Sequence, residues 1–216
     1  MSRKKLKIDW LNHSLEFIVV IVGILLAFQL NTCSSEKEQK STIDIHTTEI
    51  LKETELNKTS FENAIAYDEL NIAKMDTLFN LLRIKEDYAK INQLSFDLLS
   101  LGGVYIRKNA YQTLIETGDI RFMKNYEDKQ RIVNLYEYYK WVESFNEISM
   151  NLYTSDYYPY LKNNFDLLEA TIQNEEIYTS KEFKNILGAY YRTSQNRLQK
   201  YKDCLVEINT YLKSEK

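Results

Sequence analysis

The chain has 216 residues, enough for one membrane segment and one domain of about 180 residues. Its 28 Lys and Arg against 31 Asp and Glu give a net charge of −3, which excludes the basic footprint that nucleic acid requires. Five Gly and one Pro argue against a β-rich fold with many tight turns, and for long helices.

The first element is the stretch from Leu15 to Asn31. It holds an unbroken apolar run from Phe17 to Phe28, with Glu16 and Gln29 at its edges. A bilayer core takes about 20 mostly apolar residues as a helix, so this segment spans only with help from Trp10 and Leu11 and slight bilayer thinning. The cluster Arg3, Lys4, Lys5 and Lys7 precedes it, and only Lys37 and Lys40 follow closely. That asymmetry keeps the N-terminus in the cytoplasm. Beyond Glu16 the chain holds 24 basic against 29 acidic groups, so the following domain is mildly acidic. The reading is a basic cytoplasmic start over 1–14, a bacterial inner-membrane anchor over 15–31, a polar exit over 32–41 and a periplasmic domain over 42–216. Two rivals share these features. One is a cleaved signal peptide, since a basic start and a short apolar core fit it too. The other is a lipoprotein signal ending at Cys33, in which Asn31 and Thr32 stand where small residues belong.

One face of the anchor is unusual. Glu16, Val20, Gly23, Ala27 and Asn31 fall within about 80° of each other at 100° per residue. Gly23 and Ala27 form a small-xxx-small pair, which lets helix backbones approach closely. An ionised Glu16 about one turn inside the boundary is costly unless partnered. The face is a candidate helix–helix interface. The sharper version makes Glu16 a proton-linked carboxylate, and the plainer one lets it snorkel.

After a polar exit that can simply continue the anchor helix, Ile43 to about Leu82 reads as one long helix. Asn57, Asp68 and Asn71 dilute its apolar stripe, so half coverage is expected. Leu94–Leu101 reads as a short apolar helix stopped by Gly102-Gly103. Ala110–Thr117 reads as another, with Gly118 just past its C-terminus. Asn125, with Asp128 three residues on, starts a second long helix to about Tyr157, and Pro159 should end or kink it. Leu167–Ile172 is expected to add a turn of helix. The 17 Tyr suit the rims of thin helical cores, with Tyr157, Tyr158 and Tyr160 covering the bundle end. Thr179 or Ser180 caps the last helix. Its stripe of Leu187, Tyr191, Ser194, Leu198, Tyr201, Leu205, Ile208 and Leu212 has the spacing of a left-handed helix pairing, within the bundle or between chains. The expected fold class is all-α: an N-terminal transmembrane helix, then an extracytoplasmic bundle of three long and two or three short helices.

Two stretches carry a resemblance. Glu16, an aliphatic run and Gly23-Ile24-Leu25-Leu26-Ala27-Phe28-Gln29-Leu30-Asn31 resemble the opening of an uncharacterised bacterial family, the domain of unknown function 6090. Asn109-Ala110-Tyr111-Gln112-Thr113-Leu114-Ile115-Glu116-Thr117-Gly118-Asp119-Ile120 is similar to that family's A-Y-x-x-L-x-x-[ST]-G-x-[IL] core. Thr32-Cys33-Ser34 depart from the family's Asn-Trp-Asn-like continuation and put Cys33 in a tryptophan's place. The resemblance implies a single-pass envelope protein of Bacteroidota-type bacteria with no assigned activity and no catalytic residues.

Chemistry is sparse. His13 and His46 are the only histidines. His46 with Glu49 is a reversed single copy of a di-iron signature that needs two. No nucleophile motif surrounds any serine, and Gly102-Gly103 lacks the pattern of a phosphate loop. Cys33 and Cys204 are no disulfide framework. No catalytic residue, cofactor or metal ligand is assigned. The stretch from Asn109 through Tyr111, Leu114 and Gly118 to Ile120 is the candidate docking element, rimmed by Arg107, Lys108 and Arg121; its plainer reading is a structural plug. The expected function is a non-enzymatic, membrane-anchored interaction or scaffold module, partnered by the lipid bilayer and by itself or another envelope membrane protein. The alternative is a subunit of an ion-driven or transport complex using Glu16. A ligand sensor and a hydrolase are the remaining rivals.

Overall fold

The computed structural model describes residues 10–85, 87–172 and 174–214, and the side chains of all of these except 11–13. The cluster Arg3 to Lys7 and the side chain of His13 lie outside the described residues.

Helix α1 runs from Trp10 to Ile84 without a break. At 1.5 Å per residue its 75 residues make a rod of about 110 Å. The apolar stretch, the polar exit and the long helix expected from Ile43 are therefore one element, and the boundaries at 31 and 41 leave no mark on the backbone. Among the described residues, α1 alone is long and apolar enough to cross a membrane. Residues 14–38 are all exposed, and the first buried side chain is Ile50. From there burial alternates in steps of four and three: Ile50, Thr54, Asn57, Phe61, Ala64, Asp68, Asn71, Met75, Leu78, Leu82. The polar residues expected to dilute this stripe lie inside the core instead.

The chain reverses after α1, with φ of 54° at both Lys85 and Asp87. Helix α2 (Tyr88–Asp97) is capped by the Asp87 carboxylate, which accepts from Lys90 N at 3.0 Å. It starts six residues before the expected position, because that cap precedes the apolar residues. The chain then descends along α1, through α3 (Asn109–Glu116) and a 3₁₀ turn (Asp119–Phe122). Helix α4 (Tyr126–Leu152) climbs back, with Asn125 Oδ1 accepting from Glu127 N at 2.9 Å as its cap.

Pro159 does not end α4. A π turn (Tyr153–Tyr157) precedes α5 (Tyr158–Asn164), and Pro159 sits in the first turn of α5, where a missing N–H costs little. The π turn shifts the register by one residue, so Tyr157 is buried and Asp156 exposed. Residues 165–172 form a two-stranded hairpin, β1 (Phe165–Asp166) with β2 (Thr171–Ile172), not a turn of helix. Asp166 Oδ1 accepts from Leu168 N and Glu169 N, each at 3.0 Å, and fixes the reversal. A four-residue α6 (Glu176–Thr179) follows.

Helix α7 (Lys181–Ser214) descends against both α1 and α4, and Ser180 Oγ accepts from Phe183 N at 3.0 Å as its cap. Its buried residues are Phe183, Leu187, Tyr190, Ser194, Arg197, Tyr201, Cys204, Ile208 and Tyr211. Half of the expected stripe is correct. The other half is one residue off: Tyr190, Arg197, Cys204 and Tyr211 face inward, and Tyr191, Leu198, Leu205 and Leu212 flank the seam. The architecture is all-α with three long helices, but among the described residues four short α-helices accompany them, one more than expected. Tyrosines are not confined to rims. Tyr139, Tyr157, Tyr178, Tyr190 and Tyr201 are among the largest fully buried side chains, and Tyr158 alone of the expected end cover is exposed.

The core is two apolar clusters. The one farther from the exposed stretch contains Met75, Leu78, Tyr157 and Leu187, and the nearer one Phe61, Tyr139, Tyr201 and Ile208. Between them lies a polar layer of Asp68, Asn71, Ser149, Ser194 and Arg197. Arg197 donates from Nε to Asp68 Oδ2 at 2.9 Å and from Nη2 to Asp68 Oδ1 at 2.5 Å. Burial pushes the Asp68 carboxyl up, against the pull of the guanidinium that holds it charged. Removing one partner of such a pair strands a buried charge. Arg197→Met is expected to cost about 3–5 kcal/mol in urea unfolding of the full chain in detergent, and Asp68→Leu/Arg197→Met to recover most of that loss.

Candidate functional site

Two surfaces hold the residues singled out in the sequence, and a third lies beside them. The first is the segment 107–120. Asn57, buried on α1, donates from Nδ2 to Arg107 O at 2.9 Å and accepts from Arg107 N at 2.8 Å. One turn earlier, Glu53 Oε2 accepts from Ala110 N at 3.1 Å, and Tyr136 Oη donates to Glu53 Oε1 at 2.6 Å. Tyr111 stacks on Tyr136 with ring centroids 4.0 Å apart. Leu114 is fully buried, and Gly118 takes φ of 74° just past α3, the left-handed value expected there. Asp119 Oδ2 lies 3.1 Å from His46 Nε2 and accepts from Thr117 Oγ1 at 2.8 Å. Those two contacts hold the Asp119 carboxyl below its ordinary range. Ile120 is half-buried and Asn109 exposed. The inward faces of Tyr111 and Leu114 are thus occupied within the chain, and Ile115 is the large apolar residue that α3 leaves exposed.

The second surface is the outer face of α1. Glu16, Gly23, Ala27 and Asn31 are exposed, and a Cβ added at Gly23 would meet nothing within 4 Å. The same face continues past the polar exit. At 100° per residue, positions 23, 27, 31, 45, 56 and 70 lie within about 80° of each other, opposite Ile50 and Phe61. Ile45, Leu56 and Leu70 are 61%, 53% and 57% exposed. The stripe therefore runs from the apolar stretch up the outside of the bundle.

The third surface was not foreseen. A groove of about 710 Å³ opens between α1 and the start of α4. Ile43, Phe122, Met123 and Ile132 form its apolar floor, and Cys33, Glu36, Lys37, Lys40 and Lys124 line the part toward the apolar stretch. The signal was present in Phe122-Met123, two apolar residues in what reads as a mere linker. Cys33 is exposed; Cys204 is buried in the core, and burial pushes its thiol pKa up, so reagents reach Cys33 first. Among the described residues no three His, Cys, Asp or Glu side chains come together as a metal site.

No family model, curated protein or solved structure matches the chain.

Asn57→Ala leaves the Arg107 amide and carbonyl without partners, at a cost of about 1–3 kcal/mol. Amide exchange over 107–120 is expected to rise more than in the far half of the bundle. Because the Asp119 pKa is depressed, its contribution is complete above the ordinary value of 3.8 and is lost as pH falls below it. Exchange at Gly118–Phe122 is accordingly expected to accelerate only below that pH, and His46→Ala to shrink that pH-dependent acceleration.

Proposed function

We propose that this chain is a single-pass inner-membrane protein whose bundle lies in the periplasm, and that it works as a non-enzymatic interaction module. Its partner is a membrane-embedded helix, from a second copy or from another envelope protein, packed along the outer face of α1. The observation that carries this reading is that one unbroken helix presents the small pair Gly23/Ala27 and, on the same side, exposed Ile45, Leu56 and Leu70. Small residues let a second helix approach closely in lipid. Apolar residues in line above them extend the contact outside it. A partner that follows this face must itself cross the bilayer and stand beside the bundle.

The test is in-membrane crosslinking of the full chain from its native membranes, with capture of whatever is joined to it. Gly23→Leu is expected to reduce the captured partner several-fold, Leu56→Glu to weaken capture while leaving membrane insertion unchanged, and Glu16→Gln to leave it intact. Undiminished capture in both Gly23→Leu and Leu56→Glu would contradict the reading.

A further inference from the structure

The floor of the groove between α1 and the start of α4, at Ile43 and Thr47, lies on the side of α1 away from Gly23 and Ala27, while Lys37, two heptads above Gly23, stands at the edge between the two faces. The groove's α1 lining (Cys33, Lys37, Lys40, Ile43, Asp44, Thr47) continues the heptad face that is buried farther up. It is the open base of the core, at the level where the other helices of the bundle give out.

Its lining is graded. From Asn31, taken as the end of the span, Lys37 and Lys40 stand about 9 and 14 Å higher and Ile43 about 18 Å, at 1.5 Å per residue. Helical side chains tilt toward the helix N-terminus, so both lysines lean toward the bilayer. Lys124 enters from the opposite wall, 4.0 Å from Glu36 across the mouth. Neither Lys37 nor Lys40 has an ion pair among the described residues. Above the lysines come Ile43, Phe122, Met123 and Ile132. The acidic groups at that height are Asp44 and Asp128, the latter paired with Arg131. They repel an anion from the upper groove, and lower down Lys37 and Lys40 remain uncompensated beside Glu36, which pairs with Lys124.

Ammonium groups below and an apolar floor above match the two halves of a phospholipid, whose phosphate layer begins just outside the hydrocarbon, within reach of lysine side chains that lean down toward it. We infer that the groove holds a phospholipid of the leaflet beneath it, its phosphate seated on Lys37, Lys40 and Lys124 and one acyl chain turned up onto Ile43, Phe122, Met123 and Ile132. This inference rests on the proposed membrane span, and the groove's size is that of ordinary small-molecule sites. Its floor at Ile43 lies about 160° around α1 from both Gly23 and Ala27, so an acyl chain there leaves the partner-helix face open.

The test reconstitutes the full chain in bilayers of phosphatidylethanolamine and phosphatidylglycerol carrying a photoactivatable acyl chain, and maps the adducts by mass spectrometry. Adducts are expected on residues 15–31 and also on Ile43, Phe122 or Met123. In Lys37→Glu/Lys40→Glu the groove adducts should fall about tenfold or more while those on 15–31 persist, since a basic side chain near an anionic surface contributes substantially to lipid attraction. Helical circular dichroism checks that the variant is folded. Adducts confined to 15–31 in the natural chain would overturn the inference and leave the anchor standing. Adducts on neither segment would overturn both. Protein–protein adducts at Met123 in place of lipid ones would show that a second chain fills the groove, and would overturn it too.

Discussion

The pairing of Asp68 with Arg197 is the constraint on which the register of the bundle depends. Both groups are nearly inaccessible, at 1% and 3% exposure, and each is tolerable there only because the other is present. Apolar side chains slide past one another at small cost; a bidentate guanidinium–carboxylate pair does not. It fixes α7 against α1 along the axis and around it. Once Arg197 points at Asp68, the inward line of α7 must run through Tyr190, Cys204 and Tyr211. The leucines at 198, 205 and 212 are then left beside the seam. The two apolar clusters on either side of the polar layer pack in the one register this pair allows.

Continuity of α1 carries that constraint toward the exposed apolar stretch. A helix without a break has one phase from end to end, so the buried face at Ile50 and Phe61 determines which residues of the stretch point away from the bundle. Those are Gly23, Ala27 and Asn31, in line with Ile45, Leu56 and Leu70. The opposite face leads into the groove at Lys40, Ile43 and Thr47. Two surfaces of different chemistry thus stand on opposite sides of one rod.

Long-range periodicity was readable from sequence, and so was local cap chemistry. Asn125, Ser180 and Gly118 do what their residue types suggest, because a side-chain oxygen or a missing Cβ acts on its own neighbours. The all-α class and the three long helices follow from apolar spacing over many turns. What failed did so where a tertiary partner overrides hydrophobicity. Asp68, Asn71 and Arg197 look like surface residues until a partner is placed opposite them. The π turn at Tyr153–Tyr157 exists to bring Tyr157 inward, which no local signal announces. The hairpin at 165–172 is decided by Asp166 gripping two backbone amides, while its leucines suggest a helix. Of the candidate site, the α1 face was legible from the small pair Gly23/Ala27 in line with Glu16 and Asn31, but its extension to Leu70 needed the unbroken helix. The groove needed the chain between α3 and α4 to fold back beside α1.

The unbroken α1 is the claim on which both faces rest, and it is open to a single distance. Spin labels at Ser34→Cys and Glu55→Cys, with Cys33→Ser, are separated by 21 helical residues. In lipid nanodiscs, with unlabelled chain in excess, the account expects one narrow distance distribution centred at about 32 Å. A broad distribution, or one centred well below that value, would mean that the helix bends or breaks at the polar exit, and would contradict it.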